Sequence, residues 1–397
     1  MAITQNKQGL KVLVTGSIIQ LFLGILYVWS VFVVPVSQYL NWEISAVKLT
    51  SSFMICFFVV GILIGGKLQL KIGAQKVVLI GGLMLAAGMF ATSFLTSETA
   101  RLLYFTYGIV GGFGVGAGYN AIISSAQKWF PQNRGFATGV AVCAFGFSTV
   151  VFAPLIEALV AQFELKNTFM ILAAAFFVVT VALFRFIRLP DDTAQAGAPS
   201  AALLAKKQFT MSEAIKTKEF YFIALSLMLA TAAFFILNPA FKEEAASRGL
   251  GDSIGTVVVM LTGVASALGR LGAPLLSDKI GREKAALTII LATAVCTLLL
   301  TFVQGYLFMA TIAVIAFCYG GYSGVYPVLT ADYFGIKNVG SNYGAVMVGF
   351  AISALCFPFI FNNMDIKVKF IALAVLSFIG VVLVFLLMAA KKQRQSD

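Results

Sequence analysis

Twelve runs of mostly apolar residues, separated by short clusters of charged and turn-forming residues, constrain this chain more than any other feature. They lie at about 12–36, 46–66, 76–95, 102–127, 136–160, 167–188, 219–241, 253–277, 286–303, 306–331, 342–362 and 367–390. A hydrocarbon core roughly 30 Å thick is crossed by about 20 helical residues, so runs of this length fit a bilayer. Backbone surrounded by lipid must satisfy its own N–H and C=O groups, which makes each run a predicted helix. Composition agrees: 60% of the residues are hydrophobic and 11% charged, against about 25% charged in an ordinary soluble protein. The expectation is an all-α integral membrane protein.

The first run is too long for the hydrophobic core of a signal peptide, and no small-residue cleavage pattern follows it, so it reads as the first span. The largest gap contains "LPDDTAQAGAPSAALLAKKQFT" and divides the chain into a six-helix bundle at 1–188, a cytoplasmic linker at 189–218 and a second six-helix bundle at 219–397. With the N-terminus inside, the cytoplasmic segments hold twenty Lys and Arg and the outer loops seven. That bias predicts both termini in the cytoplasm, and it explains the net charge of +12 without a nucleic-acid partner. The five cysteines all fall in apolar runs and read as packing residues. Histidine is absent, and no metal, cofactor or catalytic signature is expected: there is no HExxH, no Gly-x-Ser-x-Gly and no intramembrane Asp pair. No ring of like charge suggests a channel, and no soluble signalling domain suggests a sensor.

Two segments repeat. "GKLQLKIGAQK" (66–76) follows the second run and "PLLSDKIGREK" (274–284) the eighth, with Gly73 and Gly281 aligned at an offset of 208. Both resemble the cytoplasmic loop motif G-x-x-x-D-x-x-G-[RK] of the major facilitator superfamily. The second copy keeps Asp278, whereas the first has Leu70. The resemblance implies two parallel six-helix repeats with a substrate site at the midplane of the bilayer.

One charge interrupts the eighth run. Arg270 lies eight residues before Asp278, about 12 Å along a helix and therefore deep in the membrane. At the same offset of 208 its counterpart is Ile62, so packing alone does not demand an arginine. A guanidinium at that depth needs water or a partner, and it matches a carboxylate through two parallel hydrogen bonds. Asp278, Asp332, Glu157, Glu164 and Asp365 all lie nearer the span ends or in loops. The partner expected here is therefore the substrate; a structural arginine bonded to backbone carbonyls is the alternative. Tyr119 and Asn120 in the fourth run, and Tyr322 and Ser323 in the tenth, fall at nearly the same depth, with Tyr27 and Trp29 in the outer half of the first. Tyr319, Tyr326 and Tyr343 are weaker candidates. The glycines of "YGIVGGFGVGAGYN" (107–120) and "FCYGGYSGVYP" (317–327) point to closely approaching helices.

"LGILYVWSVFVVPV" (23–36), "GYNAIISSAQKWFPQNRGFATG" (118–139) and "ADYFGIKNVGSNYG" (331–344), together with Arg270, resemble the oxalate/formate antiporter family, a branch of the superfamily similar to monocarboxylate transporters. The resemblance covers nearly the whole chain. It implies a plasma-membrane carboxylate transporter, monomeric by analogy, working by alternating access, with Arg270 as anion anchor and Tyr27 and Tyr119 lining the cavity. Two departures follow. Oxalate exchangers carry a lysine where this chain has Phe350, and 342–362 holds no Lys or Arg. Animal monocarboxylate transporters have an aspartate where this chain has Ser266. The expected substrate-binding set is Arg270, Tyr27, Tyr119, Asn120, Tyr322 and Ser323. The expected function is proton-linked transport of lactate, pyruvate or formate, with carboxylate exchange against a counter-anion as the alternative.

Overall fold

A computed structural model describes residues 6–190, 207–237, 244, 248, 252–361 and 364–396, without side chains at 252–259 and 393–396. Most of the expected linker, with Lys206, and the outer-loop Lys242 lie outside the described residues. Among those described, nine helices are long and apolar enough to cross a membrane. We number the spans α1 (Lys7–Leu40), α2 (Ile44–Ile72), α3 (Ala74–Thr92), α4 (Ser97–Trp129), α5 (134–163), α6 (165–186), α7 (Lys218–Leu237), α8 (Asp252–Ile280), α9 (Arg282–Leu299), α10 (Gly305–Phe334), α11 (Val339–Phe361) and α12 (Ile366–Ser396). The helix Arg134–Phe186 counts as two spans, because Glu164 breaks it with φ 61° and ψ 167°. α8 and α9 complete the twelve. No strand occurs among the described residues. The fold is that of an all-α integral membrane protein with twelve transmembrane helices in two six-helix bundles.

The described chain forms two compact units. The first comprises Met1–Gln132, Ala144–Gln208 and Ile336–Gly344; the second comprises Asn133–Cys143, Phe209–Gly335 and Ala345–Asp397. The start of α5 thus packs within the second unit and the start of α11 within the first. The end of the expected linker is ordered. Thr210 and Glu213 form a capping box on the one-turn helix Met211–Ala214, and Phe209 donates its N–H to the Phe334 carbonyl at 2.9 Å.

The repeat is visible as packing. A Cβ on Gly61 of α2 would stand 2.2 Å from the Phe113 carbonyl oxygen of α4, and one on Gly269 of α8 would stand 1.9 Å from that of Phe317 on α10. The reverse contacts match: Gly116 against the Phe58 oxygen and Gly320 against the Ser266 oxygen, each at 1.9 Å. Lipid supplies no hydrophobic drive between helices, so close contact between small residues carries their association. α2 therefore corresponds to α8 at an offset of 208 and α4 to α10 at 204. Each of the turns after α2 and α8 is a single glycine, Gly73 at φ 86° and Gly281 at φ 97°.

The crossing of α8 and α10 generates a test. Gly320→Val places branched carbons into a facing carbonyl and should abolish recovery of monodisperse protein. Gly263→Val, on the same pair of helices where an added Cβ meets nothing within 4 Å, should leave yield and the size-exclusion profile unchanged.

Candidate functional site

Arg270 is buried, with 4% of its surface accessible. Its position follows from its neighbours on α8: Ser266, Gly269, Ala273 and Pro274 lie one turn before or after it or beside it. Gly324 of α10 and Gly139 of α5 both press on the Arg270 backbone, and an added Cβ would lie 2.9 and 3.3 Å from its carbonyl oxygen. Pro274 has no N–H, so it cannot donate the helical hydrogen bond that the Arg270 carbonyl would receive from the fourth residue on. The two glycines pack against that oxygen and against the Pro274 ring. Ser266 and Thr262 are buried one and two turns before Arg270 on α8.

The remaining predicted residues divide by unit and by commitment. In the first unit, the Tyr27 and Tyr119 rings both meet Phe145, at centroid distances of 5.4 and 4.9 Å, and Tyr119 also meets Phe58 at 5.3 Å. Tyr27 is half-buried and sits in a 3-10 turn, Gly24–Val28, formed where Gly24 meets the Phe145 carbonyl. Asn120 is buried beside Tyr119, but its side-chain amide donates to the carbonyls of Ile62 at 2.8 Å and Gly340 at 2.7 Å. In the second unit the Tyr322 hydroxyl lies 2.5 Å from the Thr293 hydroxyl and donates to the Ile289 carbonyl at 3.2 Å. Ser323 donates to the Gly320 carbonyl at 2.7 Å. The structure therefore brings Tyr27 and Tyr119 together on Phe145, while Asn120, Tyr322 and Ser323 direct their donors into helix contacts. Phe350, noted for the charge it lacks, packs edge-on against Phe235 at 5.0 Å, beside Tyr319 stacked on Phe234 at 3.8 Å. Phe58, Phe145, Phe234 and Phe235 were not singled out from sequence, because phenylalanine in an apolar run carries no distinguishing signal.

In the second unit the start of α5, at Arg134 and Gly135, joins an ionic cluster. Asp278 accepts hydrogen bonds from the backbone N–H groups of Gly135 at 3.1 Å and Phe136 at 2.9 Å, placing a carboxylate at the N-terminus of α5. Arg282 pairs with Asp278 and with Asp332, at 3.3 Å in the latter case, and Arg134 pairs with Asp332 at 2.5 Å. In the first unit Leu70 replaces Asp278, Ser124 donates to Gln69 at 2.6 Å, and Asn120 reaches Gly340.

The comparisons agree with this architecture. The Major Facilitator Superfamily profile matches residues 14–346 and 223–397, and the chain belongs to that superfamily. It is 28% identical to the uncharacterized MFS-type transporter YhjX of Escherichia coli over 348 residues, 86% of this chain and 85% of that one. It is 26% identical to the oxalate:formate antiporter of Oxalobacter formigenes, covering 81% and 76%. With monocarboxylate transporter 13 of Rattus norvegicus it shares 27%, covering 77% and 69%. Among solved structures, the proton:xylose symporter XylE bound to 6-bromo-6-deoxy-D-glucose matches with a TM-score of 0.71 at 14% identity, covering 96% and 95%. The human organic anion transporter TETRAN matches with a TM-score of 0.71 at 15% identity, covering 96% and 99%; both likenesses concern the fold. The protein is a membrane transporter and not an enzyme.

Asp278→Asn keeps the shape and removes the charge from both Arg282 and the α5 N-terminus. Hydrogen bonds to charged groups contribute about 1.5–3 kcal/mol each, so a clear fall in the apparent Tm in detergent is expected. Leu70→Asn, at the repeat position without such partners, should shift it little.

Proposed function

We propose that this transporter carries small monocarboxylates of the lactate, pyruvate or formate class, with Arg270 as the anion anchor. The observation that carries the reading is a buried arginine deep in α8, set between the glycine faces of α10 and α5, where the repeat partner is Ile62. Guanidinium and carboxylate pair through two parallel hydrogen bonds, and removal from water strengthens the attraction. One arginine and one carboxylate cancel. A dicarboxylate such as oxalate would leave a net negative charge, and no Lys or Arg in 342–362 stands ready to neutralise it. The named relatives support a carboxylate, since their names specify oxalate, formate and monocarboxylates.

Tyr27 and Tyr119 are proposed as further substrate contacts through their own aromatic group. Asn120, Tyr322 and Ser323 would contribute shape, their donors being committed within their units. Transport would proceed by alternating access in a monomer of the plasma membrane with both termini in the cytoplasm. Coupling to protons would use the carboxylate's own proton, since Ser266 offers no carboxyl group. Anion exchange is the second reading. It is favoured by the same serine, because exchange needs no proton site.

Proteoliposome uptake tests the reading. Loss of a charge-assisted pair worth about 1.5–3 kcal/mol corresponds to roughly 10–150-fold. Arg270→Ala should lower pyruvate uptake by at least that factor while the protein remains monodisperse, and Arg270→Lys should retain part of it. Uptake by Arg270→Ala at the wild-type rate, or oxalate carried better than pyruvate, would overturn the assignment. Uptake driven by an inward proton gradient identifies symport; uptake requiring internal anion identifies exchange.

A further inference from the structure

A cavity of about 580 Å³ opens in the first unit where α1 and α3 begin and α4 and α6 end. Lys11, Lys76 and Arg188 line it, together with Gln75, Trp129 and Phe186, and no lining residue among the described ones is acidic. Its walls are held in place. The Lys11 ammonium lies 4.2 Å from the centroid of the Phe186 ring. The Trp129 indole N–H donates to the Arg188 carbonyl at 2.6 Å, and the Arg188 Nε–H donates to the Arg185 carbonyl at 3.2 Å.

The repeat shows what this place lacks. At an offset of 208, Gln75 corresponds to Glu283. In the second unit Glu283 stands in the first turn of α9, bonded to Lys391 of the last helix and accepting from the Tyr333 hydroxyl at 3.1 Å. There the fold supplies its own anion to the helix start and to the nearby lysine. In the first unit the first turn of α3 has no acidic residue, and its N-cap Gly73 offers no side chain. Three cations and an open cavity occupy the place where the other repeat holds a carboxylate.

We propose that this cavity binds a phosphate-bearing anion, as the headgroup of an acidic phospholipid or as a soluble phosphate ester. Basic pockets among the ends of transmembrane helices are matched to such headgroups. Trp129 and Phe186 supply the aromatic surface that lies at headgroup depth. The cations belong to three helix ends, so an anion shared among them ties α1, α3 and α6 together at that layer.

Native mass spectrometry of the full chain in detergent tests this with phosphatidylglycerol, phosphatidylcholine and glycerol 1-phosphate. Wild-type protein should retain phosphatidylglycerol at least tenfold more strongly than phosphatidylcholine. The triple variant Lys11→Gln/Lys76→Gln/Arg188→Gln should lose that preference. The control Lys48→Gln/Arg101→Gln/Lys166→Gln removes the same charge elsewhere and should keep it. Gln75→Glu, which removes no cation and restores the carboxylate of the other repeat, should weaken binding several-fold, and it decides the matter if the triple variant does not fold. Displacement of the lipid by glycerol 1-phosphate marks a site open to soluble phosphates, and failure to displace it marks a lipid site. Equal retention of the two lipids, equal loss in the triple variant and its control, or unaltered binding by Gln75→Glu would overturn the proposal.

Discussion

The crossing of α8 and α10 determines what the second unit can do. With Gly269 against the Phe317 carbonyl and Gly320 against that of Ser266, the two backbones lie closer than any side chain would allow. That contact leaves Arg270 no freedom to slide along its partner. Pro274 frees the Arg270 carbonyl from its helical donor, and Gly324 and Gly139 close on the same oxygen. The backbone that presents the guanidinium is therefore packed on two sides by residues without side chains. A long cationic side chain loses considerable rotamer entropy when it is fixed, and a rigid base limits how much further ordering an arriving anion must bring about.

The first unit contains the same crossing with different chemistry. Gly61 and Gly116 make the matching contacts, but Ile62 stands at the arginine position and Asn120, not Gly324, meets its carbonyl. The contrast continues towards the helix ends. Asp278 with its two backbone donors and two arginines gives way to Leu70 and a neutral Gln69–Ser124 pair. One scaffold thus supports both a charged and an uncharged residue at the positions of Arg270 and Asp278. The charges of Arg270 and Asp278 are therefore features that the fold does not require.

The sequence made the architecture legible and the side-chain commitments mostly not. Span length, the two loop segments and the offset of 208 depend on local pattern, and the twelve helices follow them. The offset of 204 between α4 and α10 could not be read, because no motif marks it; it emerges only from which carbonyl each glycine touches. Arg270 stood out because a charge in hydrocarbon is costly wherever it points. Tyr322 and Ser323 were placed by depth alone, and depth does not fix azimuth: the Tyr322 hydroxyl turns to Thr293, and Ser323 bonds its own helix. The cluster of Arg134, Asp278, Arg282 and Asp332 was missed for a related reason. Its members lie at span ends, where a charge is unremarkable until distance shows which charges meet.

The two repeats also settle how each charge in a membrane protein of this kind can be accommodated. A buried or half-buried ion needs a counter-charge, and the fold can provide it from its own chain or leave the place to a solute. Glu283 with Lys391, and Asp278 with Arg282, are the first solution, complete within the second unit. Lys11, Lys76 and Arg188, around a cavity whose described lining holds no carboxylate, fit the second, at the level of the helix ends. The proposed role of Arg270 takes the pairing of a cation with an arriving carboxylate into the depth of the bilayer. An anion bound at the helix ends would add stability, whereas one bound at Arg270 must also leave. The Arg270 site should therefore be the weaker binder of the two, because transport requires release.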